Sequence, residues 1–409
     1  MSWPMVNIGE VCRVLPGFAF KSGYFAEHGI PVVKIASIRD DLTVDTSSAQ
    51  CLPESVLTEQ MKRFFLKDGD IVLAMTGATV GKIGRVRTNE PLLLNQRVAK
   101  IEPIQANSDY IWCVLSAKRY RDRFYNLAGG AAQPNLSGSQ IEGTKIPLPP
   151  KTTQEHIAEI LMTYNDLIAN HARRIELLER SAHLLFKEWF IQLRYPGHEH
   201  DKIVDEVPEG WERKTLGSLT TKIGSGATPR GGEASYKEAG ITLIRSQNVY
   251  DYRFEEAGLA FIDDGQAEQL ANVEVQAGDV LLNITGASVG RCCMVPTWCL
   301  PARVNQHVMI IRARKQQVSP YFLLCALNSD SRKRHLLSVS SGGVSREALT
   351  IDLVSRLEFV LPRKAVLDEF GKVVESIFCQ CDALQRQNRL LTKARDLLLP
   401  RLMDGRIAI

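Results

Sequence analysis

No uninterrupted apolar run in this 409-residue chain is long enough to span a bilayer, so a transmembrane helix is not expected. The first residues, MSWPMVNIGE, lack the basic-then-apolar pattern of a secretory signal. Low-complexity tracts are missing, and with them the signature of a disordered chain. Cysteine is sparse, odd in number at nine, and scattered without a recurring spacing, which argues against a disulfide framework and for a reducing cytoplasm. No strong charge of either sign is present: the net charge is +4, which excludes a wholly basic surface. An Asn-Pro-Pro-aromatic segment and a glycine-rich strand-turn-helix are both lacking, so the chain does not read as an adenosyl-dependent enzyme. No catalytic set and no metal site can be assigned.

What is present is a duplication. Gly69–Gly81 reads GDIVLAMTGATVG, and Gly278–Gly290 reads GDVLLNITGASVG. GIPVVKIASIRD from Gly29 matches GITLIRSQNVYD from Gly240, and Asn95-Gln96-Arg97-Val98 matches Asn305-Gln306-His307-Val308. The separation drifts only from 208 residues (Gly9 to Gly217) to 213 (Pro149 to Pro362). Two copies are too few for a solenoid, so two similar domains are expected, each followed by its own helical segment. The boundaries fall at 1–150, 151–208, 209–362 and 363–409.

Each globular half mixes short β-type runs with turn signals. Strands are expected at 31–35, 70–75 and 97–101, and again at 241–245, 279–284 and 308–312. One helix should follow in each half, Tyr110–Asn126 and Tyr321–Ser338, which makes each domain α+β. Residues 1–150 carry 17 basic and 14 acidic side chains, and 209–362 carry 17 and 16. The connectors are unbalanced in opposite senses, 7 to 10 in 151–208 and 9 to 6 in 363–409, which favours pairing them.

From Ile157 to Trp189, apolar or near-apolar residues recur at alternating steps of four and three. Adding 213 gives a second such series, Phe370 to Leu402, interrupted by Asn388 and Arg395, which could fix register. A helix over Gln154–Leu193 would be a rod of about 60 Å. Connectivity then requires the second helix to run back along the first. The expected architecture is an antiparallel coiled-coil pair between two domains, with a pseudo-twofold internal repeat.

With these features the chain resembles the specificity subunits of Type I restriction-modification systems. The resemblance rests on TGATVGK (76–82), LNQR (94–97), QPNLSG (133–138), IPLPP (146–150) before Gln154-Glu155, VPEGWERKTLG (207–217) and GSGATPRGG (224–232). The second half departs from it, with SREALT (345–350) for QPNLSG and Leu367-Asp368 for Gln154-Glu155. The resemblance implies two target-recognition domains reading the halves of a bipartite, asymmetric site in double-stranded DNA. It further implies two modification subunits carrying S-adenosylmethionine, and restriction subunits using ATP and Mg. This chain itself would bind no cofactor and no membrane.

Several motifs invite other readings. GATVGK is not a phosphate loop, because only three residues separate Gly77 from Gly81 and Ile83 follows Lys82. It reads as a tight hairpin whose Lys82, or Arg291 in the second copy, could reach a phosphate. Asp205 with Glu212-Arg213-Lys214 resembles nuclease ligands, yet the spacing is short and Pro-Glu-Gly-Trp marks a turn. His198-Glu199-His200 lacks a further ligand nearby, and Cys379 and Cys381 fit helix packing better than chemistry.

Three regions of each domain are expected at DNA. The early loops offer Lys21, Ser22, Thr228 and Arg230 beside glycines whose N–H groups suit phosphate. The strand-loops offer Lys34 and Arg39, and Arg245, Gln247 and Asn248, the amides suited to adenine and the arginines to guanine. The helix ends carry Lys118, Arg119, Arg121 and Arg123 before Gly129-Gly130, and Arg332, Lys333 and Arg334 before Gly342-Gly343, as a phosphate clamp. Asn95, Gln96 and Arg97, with Asn305, Gln306 and His307, are alternatively structural hydrogen-bonders at a strand start. Two other classes compete with DNA recognition: a stand-alone methyltransferase or nuclease, and an adaptor with protein ligands only. Unaided methylation or cleavage would mark the first, and indifference to duplex DNA the second.

Overall fold

The computed structural model describes residues 3–39, 41–129, 134–204, 207–340 and 348–407. It divides into two compact units, Met1–His171 with Gln387–Ile409, and Ala172–Arg386. The division falls inside both long helices, so each unit combines sheets with one segment of each helix.

In the first unit a four-stranded antiparallel sheet runs Cys12–Pro16, Val98–Pro103, Ile71–Ala74, Ile83–Arg85. A second four-stranded sheet runs Cys51–Leu52, Ile30–Val33, Leu92–Leu94, Phe65–Leu66, with its two central strands parallel. Met5–Asn7 pairs with Lys145–Pro147 alongside. The second unit has the same strand orders. Thr220–Ser225, Val308–Ala313, Val280–Asn283 and Cys292–Met294 form one sheet. Ala260–Ile262, Ile241–Ile244, Ala302–Val304 and Glu274–Val275 form the other, and Glu212–Thr215 pairs with Glu358–Leu361. The six strands expected from sequence all lie within two residues of their observed ends. Their continuous apolar runs reflect burial on both faces: Ile71–Ala74 and Val280–Asn283 are buried throughout.

The single helices expected after these strands are a correction. Each is two helices, Ser108–Ser116 with Lys118–Leu127, and Pro320–Asn328 with Asp330–Ser340. The chain breaks at Ala117 (ψ 135°) and Ser329 (ψ 146°), both extended. In the second unit the buried Asn328 amide donates to Cys292 O and Leu324 O at 3.0 Å each, and the Ser329 hydroxyl donates to Ala326 O at 2.8 Å. Such side-chain to backbone bonds compete with helix continuation. Neither proline nor glycine marks the break, so periodicity alone ran through it.

The first long helix spans Lys151–Phe186 and continues into a π-helical turn, Lys187–Ile191; the second spans Lys364–Met403. Every position of both four-three series is buried or half-buried. In the first unit the His171 ring nitrogen lies 2.9 Å from Asn388 Oδ1, Asn388 donates to Ile168 O, and Arg395 donates to Asn165 at 2.9 Å. One residue number rises as the other falls, so these segments run antiparallel. Ile157, Leu161, Leu399 and Leu402 join the core around Ile71, Ile101, Tyr110 and Phe124. The second unit packs Phe186, Trp189 and Phe190 against Phe322 and Phe370, with ring centroids 4.8–6.2 Å apart. Full burial of a ring such as Phe370 contributes roughly 2–3 kcal/mol. Among the described residues no helix is long and apolar enough to cross a membrane.

Candidate nucleic-acid interface

A close crossing of backbones builds the candidate edge in each unit. A Cβ on Gly17 would lie 2.3 Å from Asn95 O, and one on Gly226 would lie 1.7 Å from Val304 O. The chain leaving the first strand therefore passes directly over the Asn-Gln turn, which only glycine permits. Around that crossing Gln96 N donates to Phe18 O, and Asn95 N donates to Val33 O. The Asn95 side chain accepts from Arg97 N at 3.3 Å, and Asn305 from His307 N at 3.1 Å. These asparagines hold the turn, the structural alternative left open by their sequence. Gly77 sits beside Ile35, and Gly81 (φ 80°) presses on Arg121 O of the helix Lys118–Leu127. Lys34, Lys82 and Arg121 are thus brought onto one connected edge.

The strand-loop cations rest on aromatic rings that sequence reasoning missed. Lys34 Nζ lies 4.0 Å from the Phe25 ring centre, and at the equivalent place the Arg245 guanidinium lies 5.2 Å from that of Tyr236. Arg291 lies 4.7 Å from Tyr250, and Lys21 5.9 Å from Tyr24. The rings hold each cation by its face. The signal was on the page in GFAFKSGYF, whose aromatics alternate with the loop residues. Lys34 also donates to Gln50 at 2.5 Å, and partial burial pulls its pKa below the ordinary lysine value. Arg39 is exposed and paired with Asp45. Lys21 and Ser22 are exposed at a 3-10 turn, as are Thr228 and Arg230 on their loop.

Three expectations are corrected in the second unit, those for Asn248, Lys333 and Arg332. Asn248 is fully buried; its side chain accepts from Arg245 N at 3.1 Å and donates to Glu255 O at 2.9 Å, so it shapes the loop and cannot read adenine. Arg245 donates to Gly258 O at 2.6 Å and to Glu233 at 3.3 Å, which ties two of its five N–H groups to the loop itself. Lys333 donates to Gly290 O at 2.5 Å and pairs with Asp251. Arg332 donates to Glu358 O and covers the Phe359 ring at 4.3 Å, and burial pulls its pKa below the usual arginine value. Both are braces, leaving Arg334 as the exposed member of that cluster. Gln247 stays exposed, donating to Gly258 O at 3.0 Å.

The first unit keeps its cluster at the surface. Lys118, Arg119, Arg121 and Arg123 are all exposed, with Arg119 3.8 Å from Asp404 and over the Tyr120 ring. Gly129 is exposed; Gly130, Gln133, Gly342, Gly343 and residues 345–347 lie outside the described residues, as does Asp205. Glu212 and Lys214 pair with each other at 2.9 Å on a strand, and Gly210 (φ 82°) makes the expected turn. His198 and His200 flank Glu199 at 3.3 and 3.8 Å; no group of three or more metal-binding side chains occurs among the described residues. Cys381 is buried on the second long helix and Cys379 exposed.

Residues 2–180 match the family described as the Type I restriction modification DNA specificity domain. The specificity subunit of the Type I restriction enzyme MjaIX from Methanocaldococcus jannaschii is 27% identical over 88% of this chain and 82% of its own length. That of EcoBI from Escherichia coli is 25% identical over 97% and 84%. The crystal structure of a Type I restriction-modification S subunit from M. genitalium shares the fold, with a TM-score of 0.58 and 16% identity over 98% of this chain and 96% of that one. Residues 2–180 thus match the Type I DNA specificity domain, and over nearly its whole length the chain is similar to the specificity subunits of Type I restriction enzymes.

Proposed function

We propose that the chain is a non-catalytic subunit that recognises a bipartite, asymmetric DNA site and directs partner subunits to it. The domains at 1–150 and 209–362 each read one half, and the paired helices act as the spacer. One observation carries the reading: the same glycine crossing and Asn-Gln turn are built twice, under strand-loops of different chemistry. A shared scaffold with Lys34-Ile35-Ala36 on one copy and Arg245-Ser246-Gln247 on the other suits two related but unequal readers. Methylation and cleavage would belong to modification subunits with S-adenosylmethionine and to restriction subunits with ATP and Mg, acting in the cytoplasm. Exposed leucines on the long helices, Leu167 and Leu390 in the first unit and Leu177 and Leu184 in the second, leave apolar surface for such partners.

Methylome sequencing tests the modularity. Exchanging residues 209–362 for another recognition domain should change one half-site and leave the other; a change in both would refute two independent readers. The spacer role has its own check. One heptad inserted into each long helix, after Ile175 and after Asn388, should lengthen the gap between unchanged half-sites.

A further inference from the structure

Two ion pairs tie strand to helix in the first unit. Arg85, ending the strand Ile83–Arg85, donates to Asp109 at 2.5 Å and lies 3.5 Å from the Met162 sulfur. Arg87 reaches Asp166 on the first long helix at 3.0 Å. The second unit replaces all four ionic residues. Strand register equates Arg85, opposite Ile71, with Met294, opposite Val280. Asp109 and Tyr321 are the second residues of matching nine-residue helices. The repeat sets Pro296 at the place of Arg87 and Cys379 at that of Asp166. Met294, Pro296, Tyr321 and Cys379 all line one cavity of about 350 Å³ within the second unit.

The rest of its wall brings aromatic and acidic side chains together with Thr297, Gln385 and Arg386. Phe378 is stacked between Tyr252 and Tyr321, with ring centroids 5.8 Å from each. Asp382 is held by Arg386 at 2.8 Å. Glu179 is half-buried and, among the described residues, accepts no hydrogen bond and forms no ion pair. Burial pushes its carboxyl up to about 7 against the pull of Arg253, with Glu176 adding to the rise.

We propose that this cavity is a guanidinium site, with Glu179 as the carboxylate and the Tyr252, Phe378 and Tyr321 rings as the stacking wall. The first unit sets its own guanidinium groups, those of Arg85 and Arg87, at the matching positions. The second unit has lost both and keeps the space. A planar, weakly hydrated cation suits aromatic faces and meets a carboxylate through two parallel N–H bonds, which a compact ammonium does not. The volume is at the lower end of the roughly 300–1,000 Å³ of ligand pockets, enough for a guanidinium on an alkyl stem.

Two probes distinguish the source of the group. Agmatine stands for a free guanidinium compound, and a capped tetrapeptide with an internal arginine for a side chain presented by a protein. Each is titrated into the full chain by calorimetry. Binding of either supports the site, and whichever binds more tightly identifies the source. Glu179→Gln should weaken it about tenfold or more, the loss of a charge-assisted hydrogen bond. Met294→Arg, which supplies the cation from within the chain, should abolish binding and raise Tm. If that variant does not fold, Glu179→Gln decides alone. Failure of both probes to bind, or binding untouched by Glu179→Gln, overturns the assignment.

Discussion

Gly226→Ala is expected to destabilise the second unit by about 3–5 kcal/mol, among the largest effects a single methyl group can have. A Cβ there would stand 1.7 Å from Val304 O and 2.8 Å from Asn305 O, both backbone atoms. Val304 is held in the sheet by Ile244, its parallel partner, and Asn305 N donates to Ile244 O, so neither can retreat without opening the ladder. Gly286→Ala is the control. That glycine has φ 68°, yet nothing lies within 4 Å of its added Cβ, so only conformational strain of about 1 kcal/mol applies. The urea midpoints of the two variants compare them directly. Equal shifts would mean that the crossing chain yields freely and that the close approach is not what demands glycine. Under the proposed function, Gly226→Ala should also spoil recognition of one half-site only.

The second large effect separates phosphate holders from braces. In the assembled complex, Arg119→Ala with Arg121→Ala should reduce the slope of log K against log salt by about 1.8, roughly 0.9 for each lost phosphate contact. Both side chains are exposed on the helix Lys118–Leu127, and their loss should weaken binding to every sequence alike. Lys333→Ala belongs to a different class despite its matching place in the repeat. Its ammonium ties Gly290 O to Asp251, so its removal should lower the Tm and leave the salt slope nearly unchanged. A wild-type slope in the Arg119–Arg121 double variant, with the complex intact, would move the clamp elsewhere. A reduced slope in Lys333→Ala would restore that lysine as a phosphate contact.

The contrast between those two clusters shows where sequence reasoning stops. Lys118–Arg123 and Arg332–Arg334 look alike as strings of basic residues one repeat apart. Whether a cation faces solvent or a carbonyl depends on what the fold sets beside it. In the second unit Asp251, Gly290 and Glu358 come from three distant segments to absorb two of the three charges. Asn248 illustrates the same limit, since an amide in a loop can serve a base or its own backbone, and here the backbone of Arg245 and Glu255 claims it.

What the sequence determined by itself was the periodic part of the fold. Alternating steps of four and three placed both long helices, and short β-type runs beside turn signals placed the six strands, because side-chain periodicity follows directly from backbone geometry. The duplicated glycine and Asn-Gln motifs pointed to one scaffold used twice, and the lack of catalytic and cofactor motifs turned the reading towards recognition. Only the tertiary structure decided the rest. The helix breaks at Ala117 and Ser329, the aromatic seats under Lys34 and Arg245, and the cavity at the positions where Met294 and Pro296 replace Arg85 and Arg87 all depend on which atoms the fold sets beside them. The free energy of a polar side chain is set by its neighbours' atoms in space, and those neighbours are named by the fold.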